Sequence, residues 1–147
     1  MRLTGGDVAF ELKIVGYQFP SNTTAEYDSN WLIIEGAVQH PRGNWRFRDP
    51  SLLTYEVARL ANWLEAVALG TELEPWCGFI KPNLSFKLVG VGMVRALRLS
   101  FAIEALPPWR KRDEEVYVEF HLIGLDLATA VLSLRLQLRE FPQRADR

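Results

Sequence analysis

Apolar side chains recur at two different spacings along this chain, and that division constrains the fold more than any motif does. Val8, Phe10, Leu12 and Ile14 alternate with Ala9, Glu11, Lys13 and Val15, the period of a strand with one buried face. The same period returns at Leu84, Phe86 and Leu88, at Leu97, Leu99, Phe101 and Ile103, and at Val116, Val118 and Phe120. Trp31 to Val38 is a further apolar run, and the turn Pro41-Arg42-Gly43-Asn44 leads back into a short strand at Trp45 to Arg48, since proline presets φ and glycine accepts positive φ. Strands in succession with short links favour antiparallel pairing.

The second spacing is helical. Leu53, Val57, Leu60 and Leu64 fall at i, i+4, i+7 and i+11, one face of a helix. Asp49-Pro50 ahead of them resembles a helix opening, and Gly70 a stop. Residues 132–138 alternate as a strand would, yet Leu127, Val131, Leu134 and Leu138 also keep helical spacing. Good helix formers, Asp126 near the start and Phe141-Pro142 at the end decide for a helix. The expectation is therefore a single α+β domain over residues 1–147, with one antiparallel sheet of about six strands and helices over 51–68 and 125–141 packed on it.

Chemistry is sparse in this sequence. With 17 basic and 18 acidic side chains the net charge is −1, which argues against general attraction to nucleic acid or to an anionic membrane. At 147 residues, 48% of them hydrophobic, the chain can build a core without a disulfide or a metal. Cys77 is the lone cysteine, and with only His40 and His121 beside it no repeated metal-ligand spacing exists. Gly5, Gly6 and Asp7 interrupt the N-terminus where a secretory signal needs an apolar run. A reducing, cytoplasmic setting is expected.

Gly90-Val91-Gly92 is no dinucleotide loop, because Arg95 stands where a third glycine belongs and a strand follows. His121 next to Glu119 could act as a general base, but the sequence supplies no nucleophile for it. Trp109 with Arg110-Lys111-Arg112 has the look of a single-strand binder, until Asp113, Glu114 and Glu115 cancel the charge. No catalytic residue, cofactor or metal is assigned, and the chain reads as a protein that is not an enzyme.

Charge is nonetheless uneven. Residues 1–74 hold 6 basic and 10 acidic side chains, whereas residues 75–147 hold 11 and 8. Between positions 49 and 74, Asp49, Glu56, Glu65, Glu72 and Glu74 face only Arg59. A mildly acidic region thus surrounds the first helix, with Glu56 spaced to pair with Arg59 at i+3.

Several strings carry a resemblance. Tyr27-Asp28-Ser29-Asn30-Trp31-Leu32, Trp45-Arg46-Phe47-Arg48-Asp49-Pro50, Leu53-Thr54-Tyr55-Glu56, Trp63-Leu64, Glu74-Pro75, Pro82-Asn83-Leu84-Ser85-Phe86, Pro107-Pro108-Trp109 and Phe141-Pro142 are together similar to the WapI family of bacterial immunity proteins. The resemblance spans most of the chain. It implies a protein that neutralises the toxic C-terminal domain of a cognate contact-dependent or polymorphic toxin by binding it inside the producing cell. It names no inhibitory residues.

Those come from physical reasoning alone. Complementary charge raises the rate of encounter, and aromatic anchors slow dissociation. Glu65, Glu72 and Glu74 could steer a basic toxin, with Tyr55, which the helical wheel turns outward, or Trp76 as the anchor. A small-molecule-binding or regulatory domain is the alternative, since five tryptophans and eight phenylalanines could line a pocket.

Overall fold

Among the described residues eight strands form two four-stranded antiparallel sheets, in place of the one sheet of about six strands expected. The computed structural model describes residues 1–145. The N-terminal sheet runs β1 (Arg2–Gly5), β2 (Val8–Tyr17), β3 (Trp31–Gln39), β4 (Trp45–Leu53), and the C-terminal sheet runs β5 (Trp76–Cys77), β6 (Leu84–Val89), β7 (Ala96–Phe101), β8 (Val116–His121), each in chain order. Between them lies α1 (Thr54–Leu69), and α2 (Leu127–Glu140) follows β8. Alternation says which side chains of a strand face inward, and says nothing about which strand lies beside it. The two strands beyond the expected six are β1, of 4 residues, and β5, of 2, both too short to display a period.

The break between the sheets follows from the end of β4. The expected helix opening at Asp49-Pro50 is corrected: β4 continues through both residues, and α1 begins at Thr54. Pro50 lies at the edge of the sheet, opposite Ile33 and next to a bulge, where a missing N–H is tolerated. The Asp49 carboxylate caps nothing, because it accepts from Lys81 Nζ at 2.7 Å and Asn83 Nδ2 at 2.9 Å. Side chains of the segment leading into β6 thus cover the open edge of β4, and α1, about 24 Å long, carries the chain away from it.

Buried residues of both sheets and both helices form one apolar cluster. Phe101 of β7 joins the sheets, its ring centroid 5.9 Å from Phe10, 5.1 Å from Trp45 and 6.4 Å from Phe47. Phe47 also lies over its register partner Gly36, where an added Cβ would fall 2.1 Å from the ring. Asp126 caps α2 as its sequence suggests, accepting from the Thr129 N–H at 2.9 Å. Gln137 of α2 accepts from the Ile14 N–H at 2.7 Å, covering β2 beyond the reach of β1.

One stripe of α1 seals the C-terminal sheet. Glu56, Arg59 and Trp63, at i, i+3 and i+7, lie along one line of the helix. Glu56 is 3% exposed. One of its oxygens accepts from the Leu53 N–H at 3.0 Å, holding the first turn, and the other accepts from the Ile80 N–H at 2.9 Å. Arg59 donates to the Gly78 carbonyl, and Trp63 Nε1 donates to the Glu74 carbonyl at 2.8 Å. Leu88 N–H donates to the Pro75 carbonyl from the other side. The segment 74–80 is therefore held by β6 on one flank and by helix side chains, in place of another strand, on the other.

Two substitutions test this account. Glu56→Ala leaves the Leu53 and Ile80 N–H groups without their acceptor and lowers unfolding free energy by about 2–4 kcal/mol, read by urea titration. Gly36→Ala destabilises by about 1–3 kcal/mol through overpacking, and combining it with Phe47→Leu gives a smaller loss than the two single losses added.

Candidate functional site

The exposed surface that stands out is built where α1 ends. Gly70 adopts φ 69°, and the Thr71 N–H bonds back to the Ala66 carbonyl at 2.8 Å while the Gly70 N–H reaches Val67 at 3.2 Å. This pair of bonds stops the helix and turns the chain sharply. The loop that follows is then fixed at three points: Glu72 to Arg95 Nη2 at 2.7 Å, the Glu74 carbonyl to Trp63, and the Pro75 carbonyl to Leu88. A backbone so fixed presents Leu73 at 97% exposure and Trp76 at 56%. Leu73 carries the greatest exposure of any large apolar side chain among the described residues.

Between this loop and the outer side of α1 runs a groove of about 410 Å³. Asn62, Trp63 and Ala66 line its helix side, Leu73 and Trp76 its loop side, and the buried Cys77 also borders it. Across the Glu72–Arg95 pair lies the turn between β6 and β7, which exposes Val91, Met93 and Val94, the methionine at 82%. Gly90 has φ 79° there, and a Cβ on it would meet the Val94 carbonyl at 2.6 Å. The glycines of this segment thus shape a tight apolar hairpin tip, followed by a strand.

Of the residues singled out from sequence, Glu72, Glu74 and Trp76 come together on the groove. Glu65 does not line it and instead pairs with Arg135 of α2 at 2.7 Å. Hydrogen bonding to Arg135 holds the Glu65 carboxyl below the usual carboxylate range, and Arg95 does the same to Glu72. Glu74 has no ion pair among the described residues. Tyr55 is half-buried near the start of α1, its hydroxyl out of solvent, and it does not line the groove. Sequence reasoning missed Leu73 and Met93. The available signal was an apolar residue between two glutamates after a helix stop, and an apolar pair directly after two closely spaced glycines.

The remaining chemical candidates are scattered. His121 borders a hollow of about 420 Å³ with Thr4, Asp7 and Glu119, and its ring makes no hydrogen bond among the described residues. His40 belongs to a different corner, where its Nδ1 accepts from the Arg42 N–H and its ring lies 4.9 Å from that of Trp109. Burial pushes the Cys77 thiol above its usual range, away from thiolate reactivity. Among the described residues no three of His, Cys, Asp and Glu are grouped to hold a metal ion. No helix among them is long and apolar enough to cross a membrane.

A family model described as the immunity protein WapI-like family matches residues 2–142. The chain belongs to that family. No curated protein and no solved structure matches it. Residues of the strings similar to WapI serve largely within the fold: Trp45 Nε1 donates to Ala105, Trp109 Nε1 to Gly43, Asn83 to Asp49, and Asn30 accepts from Thr54. Leu73 and Met93 lie outside those strings. In this WapI-like protein the groove therefore draws on both sets: Trp63 and Glu74 belong to the strings that carry the likeness, whereas Leu73 and Trp76 do not.

The Glu72–Arg95 clip is testable. Arg95→Gln should lower global stability by about 1–2 kcal/mol, because Arg95 is 36% exposed while the Glu72 carboxylate it pairs with is only 11% exposed. It should speed amide hydrogen exchange selectively at Thr71 and Leu88, the hydrogen-bonded amides that flank the loop. The Glu72 carboxyl is lowered when folded, so the pair stabilises above the ordinary carboxylate range and is lost as pH falls through the lowered value. The same amides should accordingly lose protection in acid in the parent chain.

Proposed function

We propose that this protein is a non-catalytic immunity protein that binds the C-terminal domain of its cognate toxin in the cytoplasm and blocks it by occupation. Membership of an immunity family supports the role. The observation that carries the contact surface is Leu73, almost wholly exposed on a loop whose backbone is fixed on both flanks. A flexible loop would lose entropy on ordering, whereas a fixed one presents its apolar side chains ready to dock. Leu73 and Trp76 form the centre of the contact, with Met93 of the neighbouring hairpin beside them.

Charge has a secondary part. Glu74 offers an unpaired carboxylate to a basic toxin, while Glu65 and Glu72 act only after sharing their charge with Arg135 and Arg95. Tyr55 contributes at most to the margin, because it stands outside the groove. Nothing in this reading needs His121 or Cys77 to react.

The experiment uses the C-terminal domain of the toxin identified as this chain's cognate. Leu73→Asp and Trp76→Ala should each weaken its binding by about 30-fold or more, the effect of losing a central anchor, measured by calorimetry. Reversing Glu65, Glu72 and Glu74 to lysine should slow association, more so at low salt. His121→Ala and Cys77→Ser, folded by circular dichroism, should still protect a cell producing the toxin domain. Full protection by Leu73→Asp would remove this surface from the interface, and loss of protection in a folded His121→Ala chain would return the enzyme reading.

A further inference from the structure

We infer that the groove between α1 and the 71–76 loop is a receptor for one bulky apolar side chain of the protein partner, presented next to a lysine or arginine that meets Glu74. The inference rests on the immunity reading and adds what the partner must offer. A space of about 410 Å³ falls at the small end of ligand-sized sites, enough for one large side chain and too little for a helix. Ala66 leaves room on the helix wall, between the Trp63 ring and the opposed Leu73 and Trp76. Both walls are fixed by one bond, Trp63 Nε1 to the Glu74 carbonyl, so entry of a side chain requires no rearrangement of the walls.

Charge selects the neighbour of that side chain. Three ionisable groups besides the thiol line the groove. Arg59 is bound to the Gly78 carbonyl and lies 3.9 Å from Glu56, and Glu72 is bound to Arg95. Glu74 alone has no ion pair among the described residues, which leaves the rim with an uncompensated negative charge. A cation beside the inserted group is the complement. Among the described residues the C-terminal segment does not occupy the groove, since Arg144 is bound to Asn30 and to the carbonyls of Phe19, Pro20 and Asn22.

The test needs no toxin. N-acetyl-phenylalanyl-lysine amide is titrated into the nitrogen-15-labelled protein while the indole N–H signals are followed. The expected result is a saturable shift of the Trp63 and Trp76 signals, with Trp45 and Trp109 unmoved. N-acetyl-alanyl-lysine amide should cause no such shift. Ala66→Phe should abolish the response, and Glu74→Lys should weaken it about two- to fivefold at low salt, within the range of an exposed ion pair. Unmoved Trp45 and Trp109 signals report that a variant is folded, and Ala66→Gln replaces Ala66→Phe where they move. No shift at Trp63 and Trp76, a shift that persists in the filled variant, or the same shifts produced by raising protein concentration alone would each overturn the inference, the last by assigning the groove to a second copy of the chain. A chain that binds its toxin domain but ignores the dipeptide loses this inference only. One that takes the dipeptide but not the toxin domain loses the immunity reading.

Discussion

The Glu56 carboxylate is the point on which the two halves of this molecule meet. It is buried, and its two oxygens accept from Leu53 at the end of β4 and from Ile80 ahead of β6. A buried carboxylate is costly unless its acceptor capacity is used, and here one group that uses it ends a strand of the N-terminal sheet while the other lies in the connection between β5 and β6 of the C-terminal sheet. With Arg59 and Trp63 it forms a stripe that substitutes side-chain bonds for a backbone ladder. The short edge strand β5 persists because of that stripe, and the groove exists because the stripe holds the loop at a fixed distance from the helix.

Local chemistry was legible in the sequence and long-range pairing was not. Gly70 and Asp126 do what their positions suggest, because a helix cap is decided within a few residues. Residues 132–138 are helical, as propensity favoured over alternation. Asp49-Pro50 misled because the same two residues suit a helix opening and a sheet edge, and Lys81 and Asn83, some thirty positions away, decide between them. The single sheet failed for the same reason: period fixes a face, while partners are chosen by connections that α1 interrupts.

The candidate site was legible in part. Glu72, Glu74 and Trp76 meet on one groove because they are close in sequence, which is the kind of proximity a linear reading detects. Their electrostatics were not legible. The acidic first half and the basic second half pair across the fold through Asp49 with Lys81, Glu65 with Arg135 and Glu72 with Arg95, so a region acidic in sequence is largely neutralised in space. Leu73 follows no period and belongs to no motif, and only the fixed backbone around it gives its exposure meaning.

The splint along α1 has a consequence for how such a protein can diverge. Glu56, Arg59 and Trp63 hold the 74–80 segment through its backbone carbonyls and an amide, and a backbone group is the same whichever side chain it carries. The outward residues at 73 and 76 can therefore be exchanged without disturbing what supports them. If the loop is the contact surface proposed above, a lineage facing a changed adversary can rewrite it one residue at a time while the scaffold beneath is inherited unaltered.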